Sequence, residues 1–345
     1  KKPNMSLKNL NVTKIPKNLK PKLSNKKIKR LFNIFEKNFK IQSAFVVAVS
    51  GGPDSLALAF LTKIYSIKYN LVCKYYVVDH KLRKDSTKEA KKVKKVLNRF
   101  GIQVEILSWL GQKPSKNIQS LARKKRYNLL ISKCKQDKIS NIITGHHLDD
   151  LFENFFIRMI RGSGLRGLVS LEKETMFASI NIIRPLLDFD KKNLEFISNF
   201  VFNFFVKDSS NENNIFQRVR IRSILNEFKN NGLDKDKLFL TLNNLKKSNE
   251  ALKLYVQQNK ELNSFLDYKN KKLILNENFF NQPYEVVFRS LSDSLKIIGG
   301  RYYLSRGKKI RYILKKISKN TLKKETLAGC ILKKVNRTII ISKEH

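Results

Sequence analysis

The stretch that decides the fold is Ala44-Phe-Val-Val-Ala-Val-Ser50-Gly-Gly-Pro-Asp-Ser-Leu-Ala-Leu-Ala-Phe-Leu61. Its first six residues form a continuous apolar run of strand length, which is typical of a strand buried on both faces of a parallel sheet. Its last six residues favour a helix, and a glycine-containing turn lies between the two. Strand, turn and helix in this order predict the opening unit of a nucleotide-binding α/β domain.

The same alternation continues through the next hundred residues. Strands are predicted over 71–78, 102–107 and 141–144, with helices over 87–100 and 117–135. Such alternation indicates a doubly wound parallel sheet of the α/β class, in which ligands bind beyond the carboxyl ends of the strands. The segments at 50–55, 79–80 and 146–150 each follow a strand. We therefore expect all three to meet at one edge of the sheet.

The rest of the chain differs from this α/β pattern. We predict a flexible basic extension over residues 1–24, a nucleotide-binding catalytic domain over 25–214, a helical region over 215–266 and a small α+β domain over 267–345. The last two strands of that small domain are expected to meet at a turn formed by Asn336-Arg337.

Composition narrows the class of protein. The chain has 71 Lys and Arg against 28 Asp and Glu, a formal charge of +43, which favours binding to polyanions. We attribute half of this excess to drift in an A/T-rich genome. Three cysteines without CxxC spacing exclude a disulfide framework and a zinc cluster. With neither an apolar run of about 18 residues nor a signal peptide, we expect a cytoplasmic protein that does not enter membranes.

The glycine-containing turn has the chemistry of a phosphate site. Its glycines let backbone N–H groups approach phosphate oxygens, and Ser50 and Ser55 can donate hydrogen bonds. Asp54 placed against a polyphosphate requires a cation between them, and Mg²⁺ is the natural candidate. The turn matches neither GxGxxG nor GxxxxGK[ST], which disfavours dinucleotide and ordinary P-loop sites. The predicted ATP-binding residues are Ser50, Gly51, Gly52, Pro53, Asp54 and Ser55.

This turn resembles the SGGxDS motif of the PP-loop pyrophosphatase superfamily, whose members cleave ATP between its α- and β-phosphates and adenylate a carbonyl or carboxyl oxygen. Further segments resemble the tRNA(Ile)-lysidine synthetase family of that superfamily, in the same order along the chain. They are Asp79–Arg83, Ala122–Tyr127, Thr144–Asp150 with Glu153, Arg161–Leu168, Arg184–Leu187, Asp208–Asn211, Arg218–Arg222 and Thr326–Cys330. Lys81 and Ala328 stand where that family has glycine.

Two groups of side chains are candidates for chemistry beyond the turn. His146 and Asp150 are spaced i and i+4, so on a helix that starts at the strand end they share one face, where a neutral histidine can orient substrate or accept a proton. Arg123 or Arg126 could neutralise charge as pyrophosphate leaves, and a solvated helix face is the equal alternative for either one.

A third group of candidates lies further along the chain. Arg218, Arg220 and Arg222 recur with a period of two across a junction between loop and helix. They are predicted to contact the tRNA backbone or to close over the active site, with an ordinary charged surface as the alternative.

The family resemblance implies a two-step ligation. ATP and Mg²⁺ activate the C2 oxygen of the wobble cytidine in a tRNA(Ile) with a CAU anticodon, and pyrophosphate leaves. The ε-amino group of free L-lysine then displaces AMP, which yields lysidine. A homodimer is a possible assembly. The rival enzyme is a PP-loop tRNA thiolase, which the absence of CxxC disfavours; a non-catalytic RNA-binding protein would explain the charge but not Asp54 or the His146–Asp150 cluster.

Overall fold

The computed structural model describes residues 15–82, 85–111, 118–206, 217–267, 272–300 and 307–344. The chain divides into two compact units, Lys1–Leu233 and Asp234–His345. The two domain boundaries predicted after residues 214 and 266 therefore each lie inside a unit. Arg83 and the predicted motif over 208–211 lie outside the described residues.

The first unit is built on a six-stranded sheet. Its strands are β1 (Phe45–Val49), β2 (Cys73–Asp79), β3 (Val104–Ser108), β4 (Asn141–Ile143), β5 (Glu174–Phe177) and β6 (Ile180–Ile183). Their order is β3-β2-β1-β4-β6-β5, and every pair is parallel except β5 with β6. The predicted doubly wound parallel sheet is thus confirmed, with an antiparallel hairpin added at one side.

Helices cover the sheet. They are α1 (Lys26–Asn38), α2 (Pro53–Tyr69), α3 (Ser86–Arg99), α4 (Ile118–Gln136), α5 (Leu148–Ile160), α6 (Leu165–Leu168), α7 (Lys191–Phe202) and α8 (Gln217–Asn230). Side chains on successive strand residues point to opposite faces. Val46 accordingly packs in one apolar cluster and Val47 in another, and both are fully buried. Burial on both faces explains why β1 is a continuous apolar run.

The described part of the predicted flexible extension, residues 15–24, is packed against the core. Ile15, Leu19 and Leu23 are buried, and a short 3-10 helix spans Pro21–Ser24. Lys22 donates a hydrogen bond of 2.8 Å to the carbonyl of Phe200. These three apolar side chains belong to the main core cluster, so this otherwise basic segment is attached to the core.

The second unit combines helices with an antiparallel sheet. Its elements are α9 (Lys235–Asn263), β7 (Ser264–Asp267), β8 (Lys272–Leu275), a 3-10 helix (Glu277–Phe279), α10 (Tyr284–Ile298), α11 (Gly307–Ser318), β9 (Lys324–Leu327), β10 (Cys330–Val335) and β11 (Thr338–Lys343). The strand order is β7-β8-β11-β10-β9. The predicted turn at Asn336 is present, with a φ of 52° at that residue. Within the described parts of both units, no helix has the length and apolarity needed to cross a bilayer.

Candidate active site

The turn after β1 is held closed by one serine. The Ser55 hydroxyl accepts hydrogen bonds from the backbone N–H groups of Ser50 and Gly51, each at 3.1 Å, and donates to the Gly52 carbonyl at 3.0 Å. Ser55 is buried, so its hydroxyl shapes the turn itself. Gly51 has a φ of 87°, and a Cβ there would lie 2.6 Å from Val93 Cγ2. Only glycine suits this position, for both conformational and steric reasons.

A second glycine lets the end of β4 approach the same turn. A Cβ on Gly145 would lie 3.3 Å from the backbone of Asp54 and Ser55. The chain that follows β4 therefore passes directly beside the start of α2. This close approach brings the residues after Gly145 to the predicted ATP-binding turn, as expected for neighbouring parallel strands.

His147 lies between two carboxylates. Its Nε2 atom is 3.6 Å from Oδ2 of Asp54 and 3.6 Å from Oδ2 of Asp150. His147 caps α5: its Nδ1 accepts from the Asp149 N–H at 3.2 Å, while its own N–H donates to Asp150 Oδ2 at 3.1 Å. Because Nδ1 accepts, the ring N–H is on Nε2, which faces both acids.

The pKa values of the two acids are shifted in opposite directions. Burial raises the pKa of Asp54, and it outweighs the lowering effect of His147. Burial also acts to raise the pKa of Asp150, but His147, His146 and Arg218 outweigh it and lower that pKa. Among the described residues, Oδ1 of Asp54 is buried without a hydrogen-bond partner. A buried carboxylate oxygen in this situation is suited to accept a cation.

The predicted placement of His146 on one helix face with Asp150 is wrong, because α5 begins only at Leu148. His146 lies before the helix, with its Nδ1 2.9 Å from the Thr144 hydroxyl. Burial lowers the pKa of His146 to about 3, so the ring is neutral at physiological pH. The histidine that bridges the acids is His147, which was not a named candidate. Its signal in the sequence was an acid three residues later, as in a capping box.

Four arginines act electrostatically on this site. Arg184, Arg123 and Arg218 each help to lower the pKa of the half-buried His146. Burial, and then Arg123 and Arg218, lower the pKa of Arg126. Arg126 is half-buried, whereas Arg123 is exposed. Cations gathered this closely repel one another, so the site favours a ligand with several negative charges. Arg184 was quoted only as part of a sequence motif and was not a predicted site residue.

Two of the three predicted α8 arginines reach the acids of α5. Nε of Arg222 lies 2.5 Å from Oε1 of the buried Glu153, and Nε of Arg218 lies 3.7 Å from Oε2. Arg218 also comes within 4.0 Å of Asp150. Arg220 lies exposed on another side of α8, because residues two apart do not share a helix face. The period of two therefore separates Arg220 from this cluster.

Asp79 at the end of β2 holds the following segment in place, and His80 next to it lies near Arg126. The buried carboxylate of Asp79 accepts hydrogen bonds from the Lys81 N–H at 3.0 Å, the Ser86 hydroxyl at 2.9 Å and the Thr87 hydroxyl at 2.6 Å. Lys81 has a φ of 51°, a left-handed conformation that explains glycine at this place in the resembled family. Burial, and next Arg126, lower the pKa of His80 to about 4.

Within the described residues, no group of three or more His, Cys, Asp or Glu side chains is arranged to hold a metal ion. Mg²⁺ commonly uses one or two carboxylates and completes its coordination with substrate phosphates and water. Asp54, with its unpartnered oxygen, fits that mode of binding.

Comparisons with known proteins identify the family of the chain. The model of a PP-loop domain family matches residues 22–228. A tRNA(Ile)-lysidine synthase from Orientia tsutsugamushi (strain Boryong) is 32% identical over 326 residues, which cover 91% of this chain and 71% of that protein. The tRNA(Ile)-lysidine synthase of Wolbachia sp. subsp. Brugia malayi (strain TRS) is 32% identical over 304 residues, covering 86% and 70%.

A solved structure has the same fold. It is the U34-tRNA thiolase NcsA from Methanococcus maripaludis with its [4Fe-4S] cluster, at a TM-score of 0.56 and 19% identity, over 65% of this chain and 80% of that one. The match between the family model and the nucleotide-binding region, together with the long alignments to curated relatives, establishes the family. The chain belongs to the PP-loop family and, within it, to the family of tRNA(Ile)-lysidine synthases.

Proposed function

We propose that this protein is a ligase that joins free lysine to C2 of the wobble cytidine in a tRNA(Ile) with a CAU anticodon, at the expense of ATP. The observation that carries the proposal is one sheet edge where the half-buried Asp54 faces His147 and Asp150 close to several arginines. A carboxylate beside a polyphosphate site is what ATP activation requires. The names of the curated relatives supply the tRNA and the reaction class.

In the first step the turn over Ser50–Ser55 binds the phosphates of ATP. Arg123 and Arg126 neutralise charge as the bond between the α- and β-phosphates breaks, and Arg184 and Arg218 reinforce them. The C2 oxygen of cytidine attacks the α-phosphorus, and pyrophosphate departs. Positive charge already gathered at this edge stabilises the transition state without reorganisation of solvent.

Asp54 is the residue that would hold Mg²⁺, through its unpartnered Oδ1. When bound there, the ion would add Lewis-acid stabilisation of phosphate charge. The Nε2 atom of His147 lies 3.6 Å from the Asp54 carboxylate and attracts it electrostatically. Asp150 holds the backbone of His147 by accepting a hydrogen bond from its N–H at the start of α5. His146 is a poor proton acceptor at neutral pH because of its low pKa, so we assign it a hydrogen-bonding role that orients substrate.

In the second step the ε-amino group of lysine attacks the activated C2 atom and AMP leaves. The test offers the full-length protein ATP, tRNA and each of several radiolabelled amino acids. We expect only lysine to become bound to RNA, and only in the CAU-anticodon isoleucine tRNA. Phosphate contacts carry no sequence information, so a methionine tRNA with the same anticodon should bind at low salt but not react. Equal incorporation of lysine into both tRNAs would contradict the proposed function.

The role of Asp54 has its own test. Asp54→Asn should abolish tRNA-dependent pyrophosphate release while tRNA affinity is retained, because the basic surface of the protein is unchanged. Glu105→Gln is a matched control, since it makes the same kind of change on β3, where Glu105 pairs with Lys133 at 2.9 Å. Full pyrophosphate release by Asp54→Asn would remove this carboxylate from the mechanism.

A further inference from the structure

The outer face of α1 is a basic surface that the proposed active site does not use. Four cations occupy it, and all are exposed. They line an open depression of about 580 Å³ together with Asn33 and Ile34. The cations are Lys26, Lys29, Arg30 and Lys37. Their spacing of three, four and seven residues places them along one side of the helix.

These cations lack nearby counter-charges. Among the described residues, none of the four forms an ion pair. The acid within α1, Glu36, points away and binds Lys68 Nζ at 2.5 Å and the Tyr69 hydroxyl at 2.9 Å. The outer face of α3 is also rich in lysine, and Asp85 at its start pairs with Lys88 at 3.9 Å. The face of α1 is therefore a patch of uncompensated positive charge.

The apolar side of α1 is buried in the protein, and this limits the kind of polyanion that can bind to its basic side. An amphipathic helix binds a membrane by inserting its apolar side between lipids. In α1 that side is already in the protein core, with Ile28, Leu31, Phe32 and Phe35 all buried. Only an electrostatic contact with phosphates is left. From Lys26 to Lys37 the cations extend over about 16 Å at 1.5 Å per residue. That length spans several phosphates of a nucleic-acid strand, whose rise is about 3.4 Å per residue.

We propose that the outer face of α1 binds the sugar-phosphate backbone of the tRNA substrate, away from the nucleotide that is modified; this rests on the proposed function. The C-terminal end of α1 lies beside the start of β1, because the Phe39 ring is 5.4 Å from the Phe45 ring. The ATP-binding turn follows the opposite end of that strand. The α1 surface thus contributes affinity for RNA, and the choice among tRNAs depends on other contacts.

The test measures tRNA binding by the full chain over a series of salt concentrations, without ATP or lysine. One variant carries Lys26→Gln, Lys29→Gln, Arg30→Gln and Lys37→Gln. A matched control removes the same charges from α3, by Lys91→Gln, Lys94→Gln, Lys95→Gln and Arg99→Gln. A third variant, with Lys26→Arg, Lys29→Arg, Arg30→Lys and Lys37→Arg, keeps the charge of α1. Circular dichroism verifies that each variant is folded.

Each phosphate contact contributes about 0.7 to 0.9 to the slope of log affinity against log salt. We therefore expect the α1 variant to reduce that slope by about three and to weaken binding at least about tenfold, with less than half of either effect in the α3 variant. The charge-preserving variant should bind like the unaltered chain. An unchanged slope in the α1 variant, or an equal loss in the α3 variant, would overturn the proposal.

Two further readouts separate this surface from its alternatives. Loss of binding to vesicles containing phosphatidylserine, with tRNA binding unchanged, would assign the face to membranes and refute the RNA surface. Because binding is measured without catalysis, the surface can stand even if lysine is not incorporated into tRNA. Conversely, if the protein incorporates lysine and the α1 variant binds tRNA like the unaltered chain, the proposed RNA surface on α1 is refuted and the proposed function is not.

Discussion

Removal of Arg222 should destabilise the first unit more than removal of the acid with which it pairs. Glu153 has a side chain only 2% exposed, and Arg222 contacts both of its carboxylate oxygens, at 2.5 Å and 3.5 Å. A buried charge left without its partner costs about 3–5 kcal/mol. In Arg222→Ala, Arg218 remains near Glu153 at 3.7 Å, so we expect the lower end, about 3 kcal/mol.

The reverse change removes the buried charge instead. In Glu153→Gln the two arginines, with side chains 34% and 45% exposed, can turn towards solvent. We expect a loss of only about 1 kcal/mol. Once residue 153 is the neutral Gln, loss of Arg222 leaves no buried charge without a partner. The loss of stability in the double variant Glu153→Gln with Arg222→Ala should therefore be about 2 kcal/mol smaller than the sum of the two single losses.

The free energy of unfolding is measured by urea titration of each full-length variant, and a thermal scan provides a second measure. A loss of about 3 kcal/mol should lower the melting temperature by about 6–12 °C in a unit of this size. Asn226→Ala, at an exposed position of α8, is the control and should stay within about 0.5 kcal/mol. Equal losses from Arg222→Ala and Glu153→Gln, with strict additivity in the double variant, would refute the argument from a stranded buried charge.

Three other predictions concern acid stability, a turn and a boundary. Burial acts to raise the pKa of Asp79, but the hydrogen bonds that its carboxylate accepts outweigh burial and lower that pKa. The ionised carboxylate therefore stabilises the fold above pH ~4. This contribution is lost as the pH falls through the folded-state pKa. Urea unfolding between about pH 5 and 2 should thus vary less in Asp79→Asn, and an unchanged pH profile would exclude Asp79 as a source. Ala328, between β9 and β10, has a φ of 62°, so Ala328→Gly should raise the free energy of unfolding by about 0.5–1 kcal/mol in a urea titration; a loss would argue against strain there. A fragment of residues 1–233 should fold and bind ATP in calorimetry. A fragment of residues 1–214 lacks α8, with its buried Ile221 and Leu225, and should unfold at a lower urea concentration. Equal unfolding midpoints for the two fragments would show that α8 is dispensable for stability.

The sequence by itself determined the central part of the fold. The apolar run before Ser50, the glycine turn and the helix after it are contiguous, so local pattern alone predicts β1, the turn and α2. Alternation of strands and helices then implies the parallel sheet and the edge at which the turn lies. The hairpin of β5 and β6 was not predicted, because its four-residue strands carry too little pattern.

Only the tertiary structure decided which side chains meet at that edge. His147, and not His146, contacts the two acids. The reason is that α5 begins at Leu148, which makes His147 the N-cap residue and leaves His146 outside the helix. Arg222 meets Glu153 across 69 residues of sequence, and Lys22 reaches Phe200 across 178. Local periodicity reports which face of an element is apolar. The contacts between elements depend on how those faces pack, and packing involves residues distant along the chain.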